Sequence, residues 1–176
     1  MRRDERGGVT ATSLYGLAII VRVATIAYAA MRLPEQIATH FGASGRPDGW
    51  GTRAGYVAVD IAISALVVLG IPMLTAALVS GSGKGLNIPH KDYWLRPENR
   101  DRFRSRMMAD MFVISAATGG LLSWVDVELV RANAMSEPSL GADTWIATGL
   151  FIAATLGYSI WMATGRYAVP AEARGR

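Results

Sequence analysis

Cysteine is absent from this chain of 176 residues. Its absence excludes disulfides, thiolate metal sites, cysteine nucleophiles and lipidated cysteines. Histidine occurs only twice, at His40 and His90, and no HExxH or comparable pair of metal ligands can be drawn from them. Charge is scarce as well: 18% of residues are Asp, Glu, Lys or Arg against 51% hydrophobic, and mean hydropathy is positive. A water-soluble domain with one core is not built this way. The stretch Ser80-Gly81-Ser82-Gly83-Lys84-Gly85 lacks what a phosphate-binding loop needs, because Leu78 stands where the first Gly should be and Gly follows Lys84. It reads as a flexible linker.

What the chain does have is four apolar runs, at about 14–31, 56–79, 107–130 and 144–164. Each is long enough to cross a hydrocarbon core of roughly 30 Å at about 1.5 Å per residue. The expected fold is an all-α membrane protein, a four-transmembrane-helix bundle over residues 13–165. Residues 1–12 and 166–176 are expected as tails, the first of them disordered, with Thr12 or Ser13 capping the first helix. Arg2 and Arg3 ahead of an apolar run ending in Ala27-Tyr28-Ala29 resemble a cleavable signal peptide, but Arg22 interrupts the run, which favours a retained span. Gly70 and Pro72 predict a kink in the second span.

The pI of about 9.8 arises from Lys and Arg gathered in particular segments. The N-terminal tail, the 80–106 loop and the C-terminal tail hold 3, 7 and 3 of them; the 32–55 and 131–143 loops together hold 4. Cytoplasmic loops carry such an excess, so both termini and the 80–106 loop are expected inside and the 32–55 and 131–143 loops outside. Anionic lipid headgroups are the partner this predicts for the basic loop, rather than nucleic acid.

Five charged residues fall within the apolar runs, three of them away from the ends of the third run: Arg22, Asp60 and Asp126. A cation at the bilayer centre costs at least about 2.5–3.5 kcal/mol, so Arg22 should be buried against protein and paired. Asp60 in the second run and Asp126 in the third are its expected partners. Asp126 ends a stripe of Ser115, Gly119 and Ser123 at spacings that share one helical face. Asp110 and Glu128 lie near the ends of the third run and are expected in headgroup water. In the fourth run Gly149, Ala153 and Gly157 form a small-residue packing face.

Two loops are chemically specified. Leu33 to Arg53 contains Pro34, His40, Gly45, Asp48, Gly49 and Trp50; its glycines and prolines predict successive turns, with a β-turn at Arg46-Pro47-Asp48-Gly49 and Trp50 at the headgroup interface. His40 and Asp48 are candidates for a peptide, for each other, or more weakly for a metal. Leu86 to Met107 contains Asn87, Pro89, Lys91, Tyr93, Trp94 and Pro97. Tyr93 and Trp94 suit an interfacial belt, and Pro97 to Arg106 suits the start of an amphipathic helix.

The two segments THFGASGRPDGWGTR and LNIPHKDYWLRPENR resemble the paired loop motifs of a bacterial multi-pass membrane family of unknown function. That family includes the N-terminal part of SdpI-type immunity proteins. The matching positions are Pro34, His40, Gly45, Asp48, Gly49 and Trp50 after the first span, then Asn87, Pro89, Lys91, Tyr93, Trp94 and Pro97 before the third. The resemblance covers roughly residues 14–106. It implies a bacterial plasma membrane protein, and SdpI-type members protect against a secreted peptide toxin and hold a transcriptional repressor at the membrane.

The leading functional expectation is a non-catalytic membrane protein without cofactor. Its outer loop and its Arg22, Asp60 and Asp126 cluster would sense, or protect against, a membrane-active peptide or another envelope component. A peptide or protein partner follows from that reading. The first alternative is a small transporter or transporter accessory subunit lined by the polar stripes of the third and fourth spans. The second is a metal-dependent membrane enzyme using His40, Glu35, Asp48 and Asp126, which the missing metal-ligand motif disfavours.

Overall fold

The structure, a computed structural model, describes residues 2–81, 83 and 85–169, with side chains from residue 7 onward. Lys84, the 170–176 part of the C-terminal tail, and the side chains of Arg2, Arg3 and Arg6 used in the charge count lie outside that description. In order along the chain come α1 (Arg2–Arg32), strands β1 (Gln36–Phe41) and β2 (Pro47–Thr52), α2 (Arg53–Ser64), α3 (Ile71–Ser80), the short α4 (Lys91–Trp94), α5 (Pro97–Asn133) and α6 (Ala142–Trp161). Ala65–Gly70 joins α2 to α3 as a π-helical turn, and Met162–Arg166 widens the end of α6 in the same way. Four stretches are long and apolar enough to cross a membrane: Gly7–Arg32, Arg53–Ser80, Pro97–Asn133 and Ala142–Arg166. This is a multi-pass membrane protein, and the apolar side chains left open on its flanks, among them Ile20, Leu66, Met73 and Leu150, are those a bilayer would cover.

Several elements depart from expectation. The helix expected from residue 14 already runs from Arg2, because nothing between Arg2 and Ser13 breaks it: Gly7 and Gly8 weaken a helix without ending it. Thr12 does not cap. Its hydroxyl donates back to the Gly8 carbonyl at 3.0 Å, as a residue inside a helix does. The third span is continuous with the helix expected from Pro97, where Pro at the first helical position needs no amide partner, and it runs beyond residue 130 to Asn133.

The kink at Pro72 has a definite form. Proline has no amide to give the carbonyl four residues back, and its ring crowds that carbonyl. Here the freed carbonyl is that of Val68, and the Tyr15 hydroxyl on α1 donates to it at 2.9 Å. The backbone opens into the Ala65–Gly70 turn, and a neighbouring helix supplies the missing donor.

The loop expected as successive turns is an antiparallel hairpin. Ile37, Ala38 and Phe41 have an apolar surface to bury, and they do so with Ala29, Leu33, Leu129, Val130 and Ala132 of α1 and α5. The chain reverses at Gly42–Gly45, not at Arg46-Pro47-Asp48-Gly49: Gly45 takes φ +79, and Pro47 instead opens β2, where its missing amide costs little. Gly49 stands opposite His40, and a Cβ there would come within 2.9 Å of the His40 Cβ.

The other end of the bundle has its own apolar cap. Trp94 is fully buried with Val79, Phe103 and Tyr167, and its indole N–H donates to the Tyr167 carbonyl at 2.8 Å. The belt position expected for Trp94 is therefore not observed; with its one polar atom satisfied inside the protein, the ring gains by packing. The small-residue face of α6 is likewise not a packing face within the chain. A Cβ on Gly149 or Gly157 would meet nothing within 4 Å, because α6 turns Thr144 and Tyr158 toward α5 instead.

Candidate functional site

Between the two apolar caps, α1, α2 and α5 close on a polar centre. Arg22 is 2% exposed and Asp126 0%. The guanidinium spends its donors on all three helices. Its Nε donates to Ser64 Oγ at 2.9 Å and its Nη1 to Thr25 Oγ1 at 3.0 Å. Nη1 also binds Asp126 Oδ2, and Nη2 binds Asp60 Oδ1. Tyr56 donates to the second Asp126 oxygen at 2.7 Å, while Thr25 reaches Ser123 at 3.2 Å. The structure thus brings Arg22, Asp60 and Asp126 into one contact set. The Ser115, Gly119, Ser123 and Asp126 stripe is buried along its length.

The hairpin sits over this centre and is fastened to it. Arg53, the first residue of α2, donates its amide to the Glu35 carbonyl at 2.9 Å and its Nη1 to the Leu33 carbonyl at 2.9 Å. Thr52 caps α2 by accepting from the Gly55 amide at 3.1 Å. Asn133 at the end of α5 clamps the backbone of Ala38. Leu140, in the loop before α6, donates its amide to the Gly45 carbonyl at 2.9 Å, so both connections at this end are joined.

On the open side of the hairpin His40 Nδ1 and Asp48 Oδ1 form an exposed pair, and Trp50 is 62% exposed. Among the described residues no third His, Asp or Glu joins the pair to make a metal cluster, and Glu35 lies apart. Beneath His40 a cavity of about 150 Å³ is lined by His40, Phe41, Glu128 and Thr144 among others. Glu128 is buried and held by Arg131 at 2.6 Å, which corrects its expected place in headgroup water: the apolar packing of Leu129 and Val130 draws it in, and Arg131 compensates its charge.

Residues 17–63 match a domain of unknown function, DUF1648. No curated protein and no solved structure matches the chain. The DUF1648 segment runs from α1 through the hairpin into α2, so it contains Arg22, Asp60 and the whole His40 to Trp50 motif. Asp126 and Asn133, which complete the cluster and hold the hairpin, come from α5, outside it.

The inner-loop motif builds a different structure. Asn87 and Pro89 border a cavity of about 290 Å³ with Met107, Met111 and Tyr167. His90 takes a left-handed conformation ahead of α4, and the Asn99 side chain donates to the Tyr93 carbonyl at 2.9 Å. Pro97 starts α5. Not all of the basic residues here face outward. Arg104 donates to the carbonyls of Val79 at 2.8 Å and Ser80 at 3.0 Å, and Arg100 to Gly81, so two guanidinium groups cap the C-terminal end of α3.

A second buried polar site forms around Asp110. Asp110 is 1% exposed, not in headgroup water. It accepts from Tyr158 at 2.8 Å, Tyr167 at 2.6 Å and Arg166 Nε at 3.0 Å. Burial, followed by the hydrogen bond to Asp110 and its negative charge, pushes the Tyr167 phenol well above the ordinary tyrosine range. One signal was available: Arg166 ends the fourth apolar run eight residues after Tyr158. A cation and a phenol at that end need an acid nearby.

Proposed function

We propose that this chain is a non-catalytic receptor of the immunity type in a bacterial plasma membrane, meeting a membrane-active peptide or another envelope component at its hairpin. The observation that carries the reading is the fastening of the hairpin. A β-hairpin alone is marginal in water, yet this one is held by Asn133, Arg53 and Leu140 while His40, Asp48 and Trp50 stay open. A rigid surface with an aromatic and a polar pair suits recognition, because little freedom is lost on binding. The cavity beneath His40, with the Glu128 carboxylate in its wall, suits a basic or hydroxylated side chain of such a peptide. The distribution of Lys and Arg supports an outward-facing hairpin, both termini inside, and a basic loop against anionic headgroups. The resemblance of the two loop segments to SdpI-type proteins supports the same reading. His40→Ala and Asp48→Ala variants, made at normal levels in a deletion strain, should leave cells more sensitive to membrane-active peptides. Wild-type resistance in both would end the proposal.

A second reading, a small transporter, is favoured by one observation: two buried carboxylates face one guanidinium in the middle of the bundle. Reconstituted protein that carries no ion or solute down an imposed gradient would remove it.

A further inference from the structure

The central cluster is not balanced. Arg22 of α1 carries one positive charge; Asp60 of α2 and Asp126 of α5 carry two negative charges when both are ionised. Among the described residues the other titratable group near Asp60 is Tyr56, on its own helix, a phenol whose hydroxyl is given to Asp126. Ser64, Thr25 and Ser123 complete the polar surroundings and add no charge. The Asp110 site makes the contrast: there one carboxylate meets one guanidinium and two phenols.

The two acids are also not equivalent. Both oxygens of Asp126 receive donors, from Arg22 and from Tyr56. Asp126 therefore has no bare oxygen. Asp60 receives a donor on Oδ1 alone, and its Oδ2 is buried with no partner among the described residues. The Asp60 side chain is 8% exposed. A bare, charged oxygen at this depth is among the costliest arrangements a protein can hold. Adding a proton to Oδ2 removes the excess charge and turns the orphan acceptor into a neutral hydroxyl.

We propose that the Arg22, Asp60 and Asp126 cluster is a single-proton binding site inside the membrane, with Asp60 Oδ2 as the atom that takes the proton. The step is an acid–base equilibrium with water: an O–H bond forms at Oδ2 and the cluster passes from a net charge of −1 to zero. No redox partner is needed. The loaded cluster is neutral and suited to the bilayer; the empty one carries a charge that favours water entry or movement of α2 against α1 and α5. The site does not depend on the hairpin meeting a peptide, and its test does not use resistance as a readout.

The experiment is infrared spectroscopy of the full chain reconstituted in lipid vesicles, stepped in pH and repeated in heavy water. Wild type should show, at neutral pH, the carbonyl stretch of one protonated carboxyl, shifted by deuterium. Asp60→Asn should lose that band and keep the wild-type melting temperature, because the amide copies the shape of the neutral acid. Asp126→Asn leaves one acid to one guanidinium, so Asp60 should ionise and the band should again disappear. This second variant decides the matter if Asp60→Asn does not fold. Asp101→Asn, at an exposed position, should keep the band. Absence of the band from wild type at neutral pH, or its survival in either cluster variant, would overturn the proposal.

Discussion

Asn133 holds both polar groups of Ala38: its Oδ1 accepts from the Ala38 amide at 2.8 Å and its Nδ2 donates to the Ala38 carbonyl at 3.1 Å. A side-chain amide here takes the place of a third strand. It satisfies an inner edge that packs on α5, where no water would reach a lone N–H. Asn133→Ala should cost about 1–3 kcal/mol, the penalty for stranding buried backbone groups. Hydrogen exchange of the Ala38 amide should rise well above wild type. Unchanged protection would mean that apolar packing alone fixes the hairpin.

Gly45 is the second fastening. Its φ of +79 lies in the left-handed region, and a Cβ there would stand 2.4 Å from the Leu140 carbonyl oxygen. Gly45→Ala should destabilise the hairpin by about 1–3 kcal/mol through backbone strain, with the collision adding to it. Limited proteolysis within residues 42–46 of the reconstituted protein should speed up. A cleavage rate equal to wild type would show that the turn accommodates the methyl group.

Arg22→Met should be the most damaging single change in the bundle. It leaves Asp60 and Asp126 facing each other without a cation, and breaking a buried pair in this way costs about 3–5 kcal/mol. The triple variant Arg22→Met, Asp60→Asn, Asp126→Asn removes every charge and should recover much of the loss. Thermal unfolding in detergent measures both. A stable Arg22→Met protein would mean that the ion pairs contribute nothing net.

Orientation can be read without background because the chain has no cysteine. Ser44 at the hairpin turn and Ser105 on the first part of α5 are both exposed. In intact cells a membrane-impermeant thiol reagent should label Ser44→Cys and spare Ser105→Cys. The opposite pattern would turn the basic loop outward and remove the sensing proposal with it.

Much of this organisation was legible in the residues. The spans followed from length and apolarity, and the meeting of Arg22 with Asp60 and Asp126 followed from the cost of a lone charge in lipid. The hairpin was not legible, because Gly and Pro punctuate strands and turns alike. Pro47, Asp48 and Gly49 have turn chemistry, yet the strand partner at His40 and the support at Asn133 decide that they extend. Asp110 was misplaced for a related reason. Its partners Tyr158, Arg166 and Tyr167 lie far away in sequence, so proximity to a helix end was the signal in view, and that signal pointed to water.

The wide turn at Ala65–Gly70 keeps the second span in phase. Along a straight α-helix of 3.6 residues per turn, positions four apart creep round the axis by about 40° at each step. From α2 to the start of α3 the buried residues are Asp60, Ser64, Val68 and Pro72, each four after the last. Three uncorrected steps would carry the stripe about 120° away, a third of a full rotation. A π-helical turn winds more slowly per residue and gives back part of that angle. It acts as a vernier: α2 can aim Asp60 at Arg22 while, two turns later, the same helix still aims the Val68 carbonyl at Tyr15.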